Sequence, residues 1–241
     1  MNDRRLHLNV TILIRTLLMR ILALETSSRA GSVAALENSQ LLEQTVLDPR
    51  PRSSRSLAPA INAQLKSVGW KPRDIQLVAV AQGPGSFTGL RVGVTTAKIL
   101  AYVTGCELIG VNTLAAIAAQ APPVENRLVA ILDAQRKQLY AMHFHRTNQN
   151  GLEVLRPTEI VDIDHWLAEL QAGDTVTGSG LCKLAGQLPK TVGAVDERLW
   201  TPTAATVGMV GYKSYQSGKR DDVWKMTPFY YRKSAAEEMR G

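Results

Sequence analysis

The stretch Leu77-Val-Ala-Val-Ala-Gln-Gly-Pro-Gly-Ser-Phe-Thr-Gly-Leu-Arg-Val-Gly93 joins an apolar run to a glycine-rich loop and the start of an amphipathic segment. The apolar run is typical of a buried strand, and the segment from about Leu90 to Val103 has helical periodicity, with Thr88 placed as N-cap. The loop has two interpretations: free amides at the helix start and Arg91 hold an anion, or the glycines permit a tight strand-to-helix reversal. The lysine of the phosphate-binding Gly-x-x-x-x-Gly-Lys pattern is missing.

On either side of this stretch, apolar periodicity predicts a series of short strands and helices. The order to about residue 120 is βββαβαβα. The predicted elements are strands at residues 20–25, 31–36, 41–47, 77–81 and 107–111, and helices at residues 57–68, 90–103 and 113–120.

A similar order begins again after the hinge at Pro122-Pro123. The predicted elements are strands at residues 128–133, 138–145, 154–161 and 175–178, and a helix at residues 163–170. A βββαβ core that occurs twice predicts the duplicated actin, hexokinase and Hsp70-like (ASKHA) α/β fold, with two mixed-sheet lobes of βββαβα type. We therefore expect one lobe over residues 19–120 and a second over residues 121–241. Residues 1–18 are expected to be an N-terminal extension, either disordered or upstream of a true start at Met19.

The composition of the 241-residue chain excludes several classes of protein. Hydrophobic residues make up 45% and charged residues 20%, which argues against disordered and collagen-like chains. No stretch approaches the roughly 20 apolar residues that a membrane span requires. Cys106 and Cys182 lack a second Cys or a His at metal-ligand spacing, so we expect two ordinary buried thiols.

Positive charge is concentrated in one quarter of the chain. The net charge is +7, and the segment 49–106 carries eight basic residues against the single acid Asp74. Arg50, Arg52 and Arg55 begin this segment. A nucleic acid, a phosphorylated ligand or an acidic protein surface would suit it, and so would a merely solvated surface.

A hydroxyl-rich turn, Thr26-Ser27-Ser28, follows the first predicted strand, which ends at Glu25. In an actin-like ATPase this turn would place donors around phosphates. A tight turn closed by hydroxyl-to-backbone bonds is the alternative. The candidate nucleotide-proximal residues are Glu25, Thr26, Ser27, Gly83, Gly85, Thr88 and Arg91.

Other polar motifs give weaker signals. His143 and His145 would share one face of a strand, but no third ligand lies at a recognisable spacing, so we expect a surface pair and no metal site. Asp133, at a strand end near Arg136, is either a catalytic acid or a turn-capping residue. Gly178-Ser-Gly180 is either a reduced nucleotide loop or a plain turn. A His-x-x-x-His motif is absent from the sequence.

Four segments together resemble the TsaB (YeaZ) family: Met19-Arg-Ile-Leu-Ala-Leu-Glu-Thr-Ser27, Gln82 to Gly93, Ile109-Gly-Val-Asn-Thr-Leu114 and Pro228-Phe-Tyr-Tyr-Arg232. The resemblance covers Met19 to about Arg232. It implies a cytoplasmic scaffold subunit of the bacterial machinery that makes N6-threonylcarbamoyladenosine (t6A) in tRNA. Catalysis then belongs to the paralogue TsaD, whose metal motif is His-x-x-x-His, and TsaE supplies an ATPase. Glu25 departs from the Asp that most TsaB chains carry.

Small residues recur every four positions along the helix at residues 90–103. They form a ridge that lets another element approach closely. Either its own sheet or the helix at residues 57–68 fills this groove, or the ridge contacts a partner. The resemblance implies that two N-terminal helices pair with TsaD, or with a second copy, as a four-helix bundle. The predicted interface residues are Leu57, Ile61, Gly89, Leu90, Gly93, Ala97 and Ala101.

The sequence therefore fits two alternative functions. The first is a non-catalytic subunit that forms a heterodimer with TsaD and helps to present a basic surface, with Arg50, Arg52 and Arg55, to tRNA. The second is an ATP-dependent small-molecule phosphotransferase of the same fold. For the first we expect no intrinsic cofactor or metal, but weak adenine nucleotide binding at or near the partner interface.

Overall fold

A computed structural model describes residues 18–48, 53–123, 127–147, 151–184 and 186–232. The predicted N-terminal extension and the question of the start site therefore lie outside the described residues, apart from Leu18. Among the described residues, no helix is both long enough and apolar enough to cross a membrane.

The first sheet has five strands in the order β3-β2-β1-β4-β5. The strands are β1 (Arg20–Glu25), β2 (Ser32–Glu37), β3 (Gln40–Val46), β4 (Leu77–Gly83) and β5 (Glu107–Asn112). The β1–β2 and β2–β3 pairs are antiparallel, whereas β4 is parallel to both β1 and β5. Strands β1, β2 and β4 are buried on both faces, which explains their continuous apolar sequence.

The second sheet repeats this topology. Its strands are β6 (Arg127–Gln135), β7 (Gln138–Arg146), β8 (Leu152–Asp162), β9 (Thr175–Thr177) and β10 (Gly193–Ala194). The order β10-β9-β6-β7-β8 is that of the first sheet read from the other edge, with the same antiparallel and parallel pairs. The predicted duplication is thus confirmed strand by strand, and we call each sheet with its covering helices a lobe.

In the ranges that the structure describes, the α-helices that cover the sheets are α1 (Ser53–Ser67), α2 (Phe87–Thr104), α3 (Thr113–Gln120), α4 (Ile163–Glu169) and α5 (Ala204–Gln216). Helices α1 and α2 bury their apolar faces against one side of the first sheet, and α4 contributes Trp166 to the core on the outer side of the second sheet. The second lobe has a short 3-10 helix, Ser179–Lys183, at the position where the first lobe has α2.

Helices α3 and α5 lie between the sheets, and their packing does not follow the predicted division of the chain into lobes at residue 120. Most of the buried side chains of α3, such as Leu114 and Ile117, pack with the second sheet. Helix α5, which comes late in the chain, packs Ala204 and Val207 against the first sheet. Helix α3 therefore adds to the core of the second lobe although it falls in the predicted first lobe, and α5 adds to the core of the first lobe although it falls in the predicted second lobe.

Candidate functional site

The turn after β1 encloses the carboxylate of Glu25. Glu25 Oε1 accepts hydrogen bonds from the amide and hydroxyl of Ser27 at 2.6 and 2.5 Å and from the Ser28 amide at 3.2 Å. Its Oε2 accepts from the Ser28 hydroxyl at 2.6 Å. Burial raises the pKa of Glu25 above its usual value, because the opposing effect of these four hydrogen bonds is smaller. The carboxylate is fully buried and accepts four hydrogen bonds, so its side chain closes the turn. The alternative interpretation expected hydroxyl-to-backbone bonds, of which the Ser28 hydroxyl makes one, to the Ala30 carbonyl oxygen at 3.1 Å.

The glycine-rich loop packs its backbone directly against that turn. A Cβ atom at Gly89 would lie 1.9 Å from the carbonyl oxygen of Thr26, and one at Gly93 would lie 2.1 Å from Thr26 Oγ1. At Gly83, φ is +126° and a Cβ would lie 2.7 Å from the Phe229 carbonyl oxygen. Close approach therefore accounts for these glycines. Ser86, whose side chain accepts from the Gly89 amide, is the N-cap of α2, so the prediction of Thr88 was wrong by two positions.

A cavity of about 790 Å³ lies between the two lobes. Of the candidate nucleotide-proximal residues, Ser27 and Gly85 line it, whereas the enclosed Glu25 and its neighbour Thr26 do not. Residues 229–232 form part of the wall. The lining residues are Ser27, Ser28, Arg29, Ala30, Pro84, Gly85, Ser86, Phe87, Leu90, Thr113, Leu132, Asp133, Ala134, Gln135, Tyr140, Ser179, Thr201, Pro202, Phe229, Tyr230, Tyr231 and Arg232.

The ridge of small residues on α2 faces the interior of its own lobe, which corrects its assignment as a partner surface. All the predicted interface residues are buried: Leu57, Ile61, Gly89, Leu90, Gly93, Ala97 and Ala101. The small residues among them, such as Gly89, Gly93 and Ala97, bring α2 close to Thr26 and to the first sheet. Their burial in this lobe leaves no surface on these side chains for a partner to contact.

The opposite face of α2 exposes large apolar side chains. Ile99, Tyr102 and Val103 are 58%, 65% and 74% exposed, and the nearby Trp224 is 74% exposed. The Tyr102 and Trp224 rings meet edge to face at 5.2 Å between centroids. Lys98 Nζ holds the Trp224 segment by donating to the Trp224 carbonyl oxygen at 3.3 Å. We call these four apolar residues the α2 patch. The clustering of exposed apolar side chains is typical of a surface that binds another protein.

The α2 patch was missed because the spacing of small residues was taken to mark the interface. The bulk of Ile99 on the other side of the helix was the available signal.

The contact of Arg50, Arg52 and Arg55 with tRNA stays a prediction. Arg50 and Arg52 lie outside the described residues, and only the backbone of Arg55, in α1, is described.

The two histidines of β7 differ in burial, contrary to the expected surface pair. His143 lies on the face that packs with α4 and is 3% exposed, whereas His145, at the strand end, is exposed. Neither ring nitrogen of His143 has a hydrogen-bond partner within the described part of the chain. Within those same ranges, no three His, Cys, Asp or Glu side chains group as they would around a metal ion. Cys182 is exposed on the 3-10 helix and Cys106 is partly buried, so the expectation of two buried thiols was wrong.

The polar motifs of the second lobe form turns. Asp133 accepts from the Gln135 amide at 2.9 Å and from its side-chain amide at 3.1 Å, which is the turn-capping role. Gly178 has φ of +107° and approaches the carbonyl oxygen of Ile131, where a Cβ would lie at 2.1 Å. Ser179 lines the cavity from this turn.

Comparisons with known proteins match the TsaD family model and curated TsaB proteins. The family model described as TsaD, tRNA N6-adenosine threonylcarbamoyltransferase, matches residues 49–191. The tRNA threonylcarbamoyladenosine biosynthesis protein TsaB of Escherichia coli is 31% identical over 225 residues, which cover 90% of this chain and 96% of that protein. TsaB of Bacillus subtilis is 31% identical over 156 residues, or 65% of this chain and 68% of that protein.

A solved structure agrees in fold. The structure of YeaZ from Pseudomonas aeruginosa superimposes with a TM-score of 0.75 at 23% identity, covering 88% of this chain and 99% of that one. With identity to the Escherichia coli protein sustained over nearly its whole length, the chain belongs to the TsaB (YeaZ) family.

Proposed function

We propose that this chain is a non-catalytic subunit that binds TsaD in the cytoplasm and activates it for threonylcarbamoylation of adenosine 37 in tRNAs that read codons beginning with A. TsaE and tRNA then join the assembled complex. The names of the similar TsaB proteins support a role in t6A biosynthesis. Weak adenine nucleotide binding near the partner interface stays a prediction.

The α2 patch is the observation that carries this proposal. Ile99, Tyr102 and Val103 lie on the outer face of one of the two helices implicated by family resemblance, and together with Trp224 they offer an exposed aromatic and aliphatic surface. Aromatic side chains at the centre of an interface commonly supply most of its binding energy. The phosphotransferase alternative is less favoured, because the four hydrogen bonds to Glu25 occupy the carboxylate that would face a phosphate-bound cation.

The test compares substitutions on the two sides of α2. Ile99→Glu places a charge on the exposed patch, so we expect a folded subunit whose affinity for TsaD falls at least about thirtyfold, equivalent to about 2 kcal/mol. Val154→Glu is the matched control, because Val154 is 49% exposed on β8 of the other lobe. Ala97→Glu introduces a carboxylate where no side-chain surface is exposed, so that variant should fail to fold.

Calorimetry with purified TsaD measures the affinity, and formation of t6A by the reconstituted complex measures the function. A wild-type chain that neither binds TsaD nor supports t6A formation would contradict the proposed function. A folded Ile99→Glu variant that binds TsaD as tightly as Val154→Glu would place the interface elsewhere on the chain.

A further inference from the structure

Residues 227–232, which we call the strap, run from the first lobe to the second along the wall of the cavity. The strap is anchored first at the end of β4. Gln82 Nε2 donates to the Thr227 carbonyl oxygen at 2.6 Å, and the Phe229 amide donates to the Gln82 carbonyl oxygen at 2.7 Å. Because Gly83 lacks a side chain, the Phe229 backbone can lie against it. The strap is thus fixed to the first sheet by its own backbone.

The middle of the strap is held at the start of α2. Arg91 Nε donates to the Tyr230 hydroxyl at 2.9 Å. The Phe87 and Tyr230 rings pack at 4.7 Å between centroids, and the Arg91 guanidinium lies 4.0 Å from the Phe87 ring centroid. Stacking of a guanidinium on an aromatic ring adds attraction beyond the burial of area. Arg91, which in one of the two interpretations of the loop reaches a bound anion, contacts the strap in this structure.

The last two strap residues contact the second lobe. The Tyr231 ring packs on Tyr140 of β7 at 5.9 Å between centroids. Arg232 Nη1 donates to the Ala134 carbonyl oxygen at 2.6 Å, and its Nη2 donates to Gln138 Oε1. These contacts lie on both sides of the β6–β7 turn, so one guanidinium holds the two strands of that hairpin.

The turn that Arg232 contacts has an unusual backbone. Gln135, Arg136 and Lys137 have φ angles of 65°, 53° and 60°. Three consecutive non-glycine residues in the left-handed region persist only where the surroundings hold them. Arg232 supplies such support by bonding to residues that flank the turn.

We propose that the strap is a latch that fixes the angle between the two lobes, closed by the contact of Arg232 with the β6–β7 turn. In proteins that close around a ligand by hinge motion, contacts to the bound ligand stabilise the closed arrangement of the lobes. Here the chain itself supplies contacts across the cavity, through its own arginine and tyrosines. The latch holds the lobes at one angle when the cavity contains no ligand. This inference does not depend on TsaD binding.

The latch is tested by double electron–electron resonance spectroscopy, which measures the distance between spin labels placed on the two lobes. The exposed Cys182 carries one label, an Asn62→Cys substitution on the exposed side of α1 carries the other, and Cys106→Ala removes the remaining thiol. Arg232→Gln removes the guanidinium that contacts both sides of the turn, whereas Gln138→Ala removes its side-chain acceptor on β7 and leaves the bond to the Ala134 carbonyl oxygen. We expect an added population at longer distance in both variants. The control is Arg198→Gln, because Arg198 bonds Asp196 within its own turn.

Each outcome decides the question. A wild-type distance distribution in the folded Arg232→Gln variant would overturn the proposal, because the contact of Arg232 with the turn would then not restrain the lobes. Loss of folding in both variants would also overturn it, since the contact would then be needed for the cores themselves. If only one variant fails to fold, the distances in the other decide.

Discussion

Substitution of Gly93 by alanine tests whether the small-residue ridge of α2 is internal. The added methyl carbon would lie 2.1 Å from Thr26 Oγ1 and 3.3 Å from Thr26 Cβ. To relieve the contact, the Thr26 side chain must rotate or the Thr26 backbone or α2 must move, although Thr26 is buried and both elements are part of the close-packed first lobe.

The expected loss of stability follows from two opposing effects. Overpacking of a well-packed core costs about 1–3 kcal/mol, and the short contact places Gly93→Ala toward the upper end of that range. Alanine in place of glycine inside a helix stabilises the folded state by about 1 kcal/mol through its higher helix propensity. The net loss is therefore about 1–2 kcal/mol, which lowers Tm by about 2–8 °C for a chain of this size.

A double-mutant cycle gives the decisive measurement. Thr26→Ala removes the colliding atoms, so the Gly93→Ala/Thr26→Ala protein should recover stability, with a coupling energy of about 1–3 kcal/mol from urea unfolding. Gly89→Ala is the control, because its methyl would meet the backbone oxygen of Thr26, which Thr26→Ala leaves in place. If Gly93→Ala instead stabilises the subunit by the helix-propensity gain and weakens TsaD binding, the ridge faces a partner and the packing described above is wrong.

Two further predictions concern charges in the second lobe. Arg127 donates to Asp174 at 2.9 and 2.5 Å. Burial raises the Asp174 pKa, but the bonds from Arg127 and the Gln171 amide hold it lower. Arg127→Met should therefore cost about 3–5 kcal/mol in urea unfolding near neutral pH, and wild-type stability from this pair should decline as acid titrates Asp174. Burial and the nearby Arg156 and Arg127 lower the pKa of His143, so stability should fall as pH drops below about 6.5, by up to about 1.4 kcal/mol per pH unit. His143→Phe should flatten that part of a Tm-against-pH profile; an unchanged slope would refute the assignment.

Most strands and helices could be predicted because their side-chain periodicity is local, whereas α5 and the two-residue strand β10 were not predicted. The apolar run of β4 and the helical spacing in α2 both appear where expected, within a few residues at each end. The duplicated topology also followed, since strand order repeats when the same element order repeats. What spacing could not indicate was the identity of the neighbour. Gly89 and Gly93 show that something lies close to α2, but a sequence cannot tell a sheet of the same chain from a partner's helix.

Long-range contacts account for the remaining differences. The role of Arg91 depends on Tyr230, 139 positions away in sequence, and no local pattern connects them. The burial of His143 depends on the packing of its sheet face with α4, which a two-residue spacing does not contain. The placement of α5 on the first sheet likewise requires knowledge of the whole chain.

The exchange of α3 and α5 between lobes has a consequence for synthesis of the chain. The Ala204 amide at the start of α5 donates to Ser32 Oγ of β2 at 2.8 Å, across 172 positions of sequence. At ribosomal rates of 5–20 residues per second, roughly 9–34 s separate the emergence of these two residues. Until α5 arrives, the side of the first sheet that Ala204 and Val207 cover lacks this helix, and we expect chaperones to bind that apolar surface.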